Sequence, residues 1–251
     1  MKKYRKVLIL LMLMVFIAGL GLFLYPYLHG MMLDRAVSVS AESFLELAAP
    51  TDPAPSQPAQ EEAAPTEAPM EHETLWNAVN FYNLQIWEER QADLTDPWAY
   101  QQPSFSLGDF GLEDEIFGVI SIPKIELEMP VFLGATTDHL SAGAAHLTQT
   151  SLPIGGSNTN CVLAGHRGWQ GGKYFKNIVS LEPGDEVRIT NLWGTLLYRV
   201  CETKIIESYE VDKIKIQPNK DMLTLLTCYY GSSHKMRFAV YCERVQEMEV
   251  T

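Results

Sequence analysis

The chain has 251 residues, 19 Lys+Arg against 31 Asp+Glu, a formal net charge of −12 and 47% hydrophobic residues. Its 10% aromatic content and mean hydropathy of −0.05 exclude a largely disordered chain, and 14 Pro with 17 Gly are too many for a coiled coil or helical bundle. The acidity, with no basic run beyond residues 2–6, argues against nucleic-acid binding, which needs clustered Lys and Arg on phosphates.

The first segment is Lys2, Lys3, Arg5 and Lys6 followed by an uncharged, almost wholly apolar stretch from Val7 to Leu24. At 1.5 Å rise per residue this run reaches about 27 Å, close to the thickness of bilayer hydrocarbon. A cleaved signal peptide is the competing reading. The apolar run exceeds the length of a usual signal core, and no small-x-small site closes it before Tyr25, Pro26 and Tyr27. Residues 1–30 are therefore expected to form a cytoplasmic basic flank and a transmembrane anchor. The flank stays inside, so the rest of the chain is expected to be extracytoplasmic.

Residues 31–73 read as a linker, centred on Ala48 to Pro69 with six Pro, seven Ala, four acids and no aromatic residue. Such a stretch buries too little apolar surface to offset the entropy of ordering. As a polyproline-like spacer it would reach up to roughly 70 Å from the membrane.

Residues 74–251, with 14 Lys+Arg and 22 Asp+Glu, are long enough for one independent core. The segment opens with a helix: Leu75, Val79, Tyr82 and Ile86 share one face at spacings of four, three and four, and Thr74 is a plausible cap. Short apolar runs then predict strands over 117–122, 130–133, 161–165, 186–190, 195–200, 204–207, 223–228 and 237–243, with turn residues at Pro183-Gly184-Asp185, Asn191 to Gly194 and Gly231-Ser232-Ser233. A mainly β fold follows, a barrel or a sandwich. The Ala-Gly-rich stretch Ser141 to His146 is expected to form a turn of helix.

Chemistry concentrates at three strand ends. Thr224-Leu225-Leu226-Thr227-Cys228 puts a cysteine at a strand exit, Leu163-Ala164-Gly165-His166-Arg167-Gly168 puts a histidine at another, and Arg237 opens the strand after the cysteine. A mid-strand cysteine is usually packing, whereas one beside a loop can meet substrate. A Cys, a His and an Arg converging on one rim would suit acyl transfer: thiolate attack on a carbonyl, an imidazole proton shuttle, and a guanidinium on the developing oxyanion.

The Thr224–Cys228 run with Arg237 nine positions on resembles the TLxTC signature of sortases, the membrane-anchored cysteine transpeptidases of Gram-positive bacteria. Thr150 to Gly156 (TSLPIGG), Cys161 to Gly168 (CVLAGHRG) and Asp96-Pro97-Trp98 are similar to class C, the pilin-polymerising sortases. The resemblance covers about 75–245. It implies an eight-stranded sortase-type β-barrel with short helices, preceded by an N-terminal helix and a lid at about 92–105, so that 74–251 would be the catalytic domain of a single-pass cell-membrane protein. Cys228 would be the nucleophile, His166 the general acid/base, Arg237 the group steadying the tetrahedral intermediate, and Thr227 a substrate-orienting residue. Asp96 would pair with Arg237, and Trp98 would cover the Cys228 sulfur. As a bare tripeptide, Asp96-Pro97-Trp98 is a turn ending the first helix.

The implied partners are LPxTG-like sorting signals, cleaved between Thr and Gly through a thioester, and an amine acceptor, either a pilin lysine or a peptidoglycan cross-bridge. No cofactor is implied. Class C sortases usually carry a second hydrophobic helix near the C-terminus; the residues Gln246 to Thr251 here are polar and acidic, which implies a single N-terminal anchor. A wall-anchoring sortase and a catalytically inactive module that binds sorting signals are the alternatives. An L,D-transpeptidase would bring His and Cys together in a compact Ser-His-Gly-x-Cys run, whereas 62 residues separate His166 from Cys228.

Cys161, Cys201 and Cys242 lie inside expected strands and read as buried packing groups, with a disulfide among them possible but not assignable from sequence. His139, His146 and His234 read as surface or packing residues, with His234 within reach of a substrate. No Cys-x-x-Cys or His-x-x-x-His spacing occurs, so no metal site is expected, and Glu113 and Glu115 read as solvated loop charge.

Overall fold

The computed structural model describes residues 2–49, 72–94, 99–104, 106–112, 115–168, 172, 174–229 and 235–245. Its centre is a closed barrel of eight strands: β1 (Ile116–Ile122), β2 (Leu127–Leu133), β3 (Ala144–His146), β4 (Thr159–Ala164), β5 (Glu186–Asn191), β6 (Gly194–Glu207), β7 (Asp221–Cys228) and β8 (Met236–Arg244). Around the barrel the order is β1-β2-β3-β4-β7-β8-β6-β5. The pairs β2–β3 and β4–β7 are parallel and the others antiparallel, so the sheet is mixed. Closure leaves no strand with an open edge.

Side chains alternate across each strand. Cys161 and Leu163 of β4, Leu223 and Leu225 of β7, and Val240 and Cys242 of β8 fill the barrel interior with Ile120, Ile122, Val187, Ile189 and Phe175. The intervening Val162, Met222, Leu226, Ala239 and Tyr241 face outward, yet they are buried too, beneath Leu94, Leu147 and Ile214. That double burial is why these strands read as continuous apolar runs rather than as alternating ones.

Two helices cover the rest. Helix α2 (Glu73–Glu88) lays Leu75 and Val79 on Phe117, Leu133, Leu152 and Ile154, with Trp76 edge-on to Trp193 at 5.0 Å. The expected face is correct, and Asn83 joins it. The start differs, because the residue before the helix is His72, at φ 60°, rather than a capping Thr74. Helix α1 (Lys2–Ala48) runs far beyond the expected span. Its first half is an exposed apolar rod, long and apolar enough to cross a membrane. Its second half carries Leu33, Val37, Ala41, Phe44, Leu45 and Ala48 at helical spacing: Leu33 and Val37 pack on the core cluster, and the others on Val119 and Ile116 of β1 and on Leu192.

This contact changes the reading of the linker. Helix α1 carries the chain from Leu24 to Leu33, the first hydrophobic side chain packed on the core cluster, over nine residues, or about 13 Å. Ala49 and His72 both line one cavity of about 560 Å³ beside the turn between β5 and β6. Ala49 and His72, the described residues that flank 50–71, therefore sit at one face of the barrel. Helix α1 spans the distance between the apolar run and the barrel.

Three strand assignments change. The expected strands 195–200 and 204–207 are one 14-residue strand, β6, bulged at Cys201 where the register with β8 shifts between Val200 and Glu202. The helical turn at Ser141 to His146 is instead helix α3 (Thr137–Ala142) followed by strand β3. β3 has no β-branched residue. It is a strand because β2 and β4 lie on either side of it, and because Gly143 lets the chain pass Pro130, whose carbonyl oxygen would lie 2.4 Å from a Cβ there. Seven expected strands plus β3 give the eight.

The docked half of α1 makes a prediction. Phe44→Ala should lower the unfolding free energy of the full chain in detergent by about 3 kcal/mol, as loss of a buried aromatic does, while Leu22→Ala on the exposed rod should leave denaturant midpoints unchanged.

Candidate active site

The parallel register Ala164↔Leu226 brings the exits of β4 and β7 side by side. The Gly165 N–H donates to the Leu226 carbonyl at 3.0 Å, and the Thr227 hydroxyl donates to the Gly165 carbonyl at 2.9 Å. A glycine is required at 165, where a Cβ would lie 2.6 Å from the Phe175 ring. The Phe175 N–H in turn holds the His166 carbonyl at 2.9 Å. Across the other edge of β7, Cys228 is the register partner of Arg237. The neighbouring pair is hydrogen-bonded, Tyr229 N–H to Met236 carbonyl at 3.0 Å. Cys228 and Arg237 therefore form the closely spaced, non-hydrogen-bonded kind of pair, with Cα atoms about 4.5 Å apart and side chains on the same face.

His166, Cys228, Arg237 and Thr227 all line one cavity of about 350 Å³ on the outer face of the β4-β7-β8-β6 sheet. Ala164, Leu226, Ile206, Val211 and Ile214 give it an apolar wall, with Glu207 and Glu210 at its rim. The Cys228 residue is exposed, and Arg237 is half-buried with Nη1 donating to the Met236 carbonyl at 3.1 Å. His166 is half-buried and stands edge-on to Tyr174 at 6.2 Å; burial lowers its pKa from the ordinary value, favouring neutral imidazole. Tyr100 and Gln101, from within the expected lid segment 92–105, reach the same cavity. Asp96 and Trp98 lie outside the described residues, as does His234.

The Thr150–Gly156 motif does not line this cavity; Thr150 to Ile154 are buried, Gly155 is half-buried and Gly156 is exposed. Asn83 grips Leu152 by both backbone groups, at 2.7 and 3.3 Å, and the Asn191 amide donates to the Pro153 carbonyl at 2.8 Å. His146 is completely buried, its Nε2 3.0 Å from the Thr150 carbonyl and 3.1 Å from that of Ser151. Two acceptors facing Nε2 assign the proton to that nitrogen. Burial lowers the His146 pKa to about 4.

Two residues with structural roles toward the site were not singled out from sequence. The Thr224 hydroxyl donates to Asn160 Oδ1 at 2.9 Å, and the Asn160 amide donates to the Ile214 carbonyl at 2.8 Å, fixing the turn at Val211–Ile214 that walls the cavity. Their signal was a polar residue inside each of two strands whose neighbouring positions are mostly apolar. Cys161 and Cys242 are buried, with thiol pKa values raised by burial. Cys201 differs from its expected burial: it is exposed at the bulge, donating to the Tyr241 carbonyl at 3.2 Å, and all four cysteines are free. His139 is held between the Gly134 carbonyl at 2.8 Å and Glu115 at 3.0 Å; Glu113 lies outside the described residues.

Comparison with known proteins agrees with this architecture. The sortase domain family matches residues 120–245, half of the chain. Sortase D of Bacillus subtilis (strain 168) is 33% identical over 131 residues, which are 51% of this chain and 63% of that protein. Among solved structures, "Sortase C1 of GBS Pilus Island 1" superposes with a TM-score of 0.68 at 26% identity, covering 84% of this chain and all of that one. Sortase C of Clostridium perfringens "with the C-terminal cell wall sorting motif" gives 0.63 at 27% identity, again over 84% of this chain and all of that one. The chain belongs to the sortase family. It spans a little under two thirds of the length of its B. subtilis relative.

The buried imidazole sets a pH dependence. With a folded pKa near 4 against the ordinary 6.5, His146 leaves the unfolded chain binding more protons in that window. Its contribution to stability is complete above pH 6.5 and is lost as pH falls toward 4, by about 2–3 kcal/mol between pH 7 and 4.5. Denaturant titrations at the two pH values should show His146→Gln losing about 2 kcal/mol less than the parent over that interval.

Proposed function

We propose that this sortase is a membrane-anchored cysteine transpeptidase that cleaves LPxTG-like sorting signals through a thioester on Cys228 and transfers the acyl group to an amine. The observation that carries this reading is the meeting of Cys228, Arg237 and His166 on one cavity with an apolar wall. The neutral imidazole of His166 takes the thiol proton as sulfur attacks the scissile carbonyl. The Arg237 guanidinium, paired with Cys228 across the strands, stabilises the oxyanion of the tetrahedral intermediate. That intermediate expels the leaving amine as His166 returns the proton. The incoming amine then attacks the thioester, loses a proton to His166 and releases Cys228. Thr227 orients the substrate through the strand exit it latches to Gly165.

A pilin lysine is the favoured acceptor, because the chain is similar to class C sortases over 84% of its length. The B. subtilis relative carries another class name, so the peptidoglycan cross-bridge amine stands as the second reading. In both readings the rod of α1 spans the membrane, its basic flank is cytoplasmic, and the barrel is extracytoplasmic.

The test incubates the full chain in detergent with an LPxTG-containing peptide and two amines, a lysine-bearing pilin peptide and a cross-bridge peptide, and reads products by mass spectrometry. Ligation to the first amine and a Cys228 acyl adduct are expected. Ligation to the cross-bridge alone selects the wall-anchoring reading, and binding without an adduct selects an inactive binding module. Cys228→Ala should abolish product, and His166→Ala and Arg237→Ala should each lower kcat/KM by at least about a hundredfold.

The lid belongs to the same proposal: Asp96 engages Arg237 and Trp98 covers Cys228 until substrate displaces them. Iodoacetamide should alkylate Cys228 faster in the Asp96→Ala, Trp98→Ala double variant than in the parent, and equal rates would discard the lid.

A further inference from the structure

The β4–β7 ladder stops at the bond between Gly165 and Leu226, one residue before His166 and two before Cys228. The Thr227 hydroxyl then latches the Gly165 carbonyl and the Phe175 N–H holds the His166 carbonyl, which fixes the backbone at the exits; proton transfer also needs the imidazole and the sulfur held within hydrogen-bond reach, which calls for side-chain contacts beyond these bonds. The residues that follow His166, Cys228 and Arg237 in the chain are Arg167, Tyr229 and Phe238. They form a stack of their own. The Arg167 guanidinium carbon lies 5.4 Å from the centroid of the Tyr229 ring, and that ring lies 6.3 Å from Phe238 with the planes 24° apart. Phe238 in turn packs on the interior core, since Thr227 and Phe238 are register partners on the strand face opposite Cys228 and Arg237. The stack thus joins two strand exits and one strand entrance on one side, while the side chains of His166, Cys228 and Arg237 face the cavity on the other. None of the three stacked residues lines that cavity.

We propose that Arg167, Tyr229 and Phe238 form a positioning clamp that holds the His166 imidazole against the Cys228 sulfur. The proposal rests on the transpeptidase reading for its kinetic test but not for its chemical one. Arg167 suits the task because a planar guanidinium lies flat on an aromatic face, where its attraction to the ring quadrupole adds to packing. Phe238 anchors the stack to the barrel, Tyr229 extends it past the last ladder bond, and Arg167 closes it onto the residue next to the imidazole. The clamp makes no contact with substrate, so it acts on the chemical step and not on peptide affinity.

The test compares full-length Arg167→Met, Tyr229→Leu, their double variant, Tyr229→Phe and the parent in detergent, using the LPxTG peptide and an amine. Each single loss should lower kcat about five- to twentyfold, with KM for the peptide and the thermal midpoint unchanged. The double variant should be no slower than the worse single, because either change opens the same clamp. Tyr229→Phe keeps the ring face and should regain most of the loss. Alkylation of Cys228 by iodoacetamide, which needs no substrate, should slow in the same order, with His166→Ala as the reference for a lost imidazole.

Parental kcat in both singles, losses that multiply in the double, a change confined to KM, or a Tyr229→Phe variant as slow as Tyr229→Leu would each overturn the clamp. A parent that turns over no peptide defeats the transpeptidase reading instead. The alkylation series still decides the clamp in that case: equal rates in the parent and both singles reject it, and slowed rates support it.

Discussion

The site depends on one constraint, the two different pairings made by β7. Along one edge it runs parallel to β4, so both strands end at the same rim and deliver His166 and Cys228 together. Along the other edge it runs antiparallel to β8, so the strand that begins at that rim brings Arg237 opposite Cys228. A parallel pair aligns exits and an antiparallel pair aligns an exit with an entrance. This pairing gathers on one face residues that lie 62 and nine positions from Cys228. Closure of the barrel then fixes the register, because a slip of one residue would turn Cys228 and Arg237 toward the interior and expose Leu225 and Val240.

Because the sheet is covered on its outer face as well as filled inside, the cavity can be apolar without being an aggregation-prone surface. Its wall rests on polar groups that are fully engaged: Thr224 on Asn160, Asn160 on the Ile214 carbonyl, and Thr227 on Gly165. A buried polar group stabilises only when it is hydrogen-bonded, so these contacts have one geometry and transmit it to the rim. The Thr150–Gly156 motif belongs to the same layer. Its value to the protein is architectural: it seats the loop between β3 and β4 on α2 through Asn83 and on β5 through Asn191.

Helix α1 gives the barrel a fixed relation to the apolar rod. Its docked stripe on β1 and near β2 begins within about 13 Å of the end of the apolar run. The cavity lined by Cys228, His166 and Arg237 lies on the sheet formed by β4, β7, β8 and β6, a different part of the barrel wall from β1 and β2. Docking and chemistry therefore do not compete for surface.

Much of this could be read from residues alone. The apolar run Val7 to Leu24, the 3.6-residue face of α2, seven of the strands, and the placement of Cys228, His166 and Arg237 at strand ends all follow from local spacing, because burial of one face imposes a period on the sequence. Four things could not be read. β3 is made a strand by its neighbours and not by Ala144-Ala145-His146; β6 stays whole because the bulge at Cys201 absorbs the polar interruption; α1 continues past its apolar run because the barrel offers a groove for Val37, Ala41 and Phe44; and the stack of Arg167, Tyr229 and Phe238 needs three distant strand ends to meet. The amino-acid order determined which thiol, imidazole and guanidinium groups stand at strand ends and which segments are most of the strands and helices, since those depend on side-chain chemistry and local period. Only the tertiary structure decided which groups meet, because the free energy of a contact between residues far apart in the chain is set by register and closure, which no local pattern encodes.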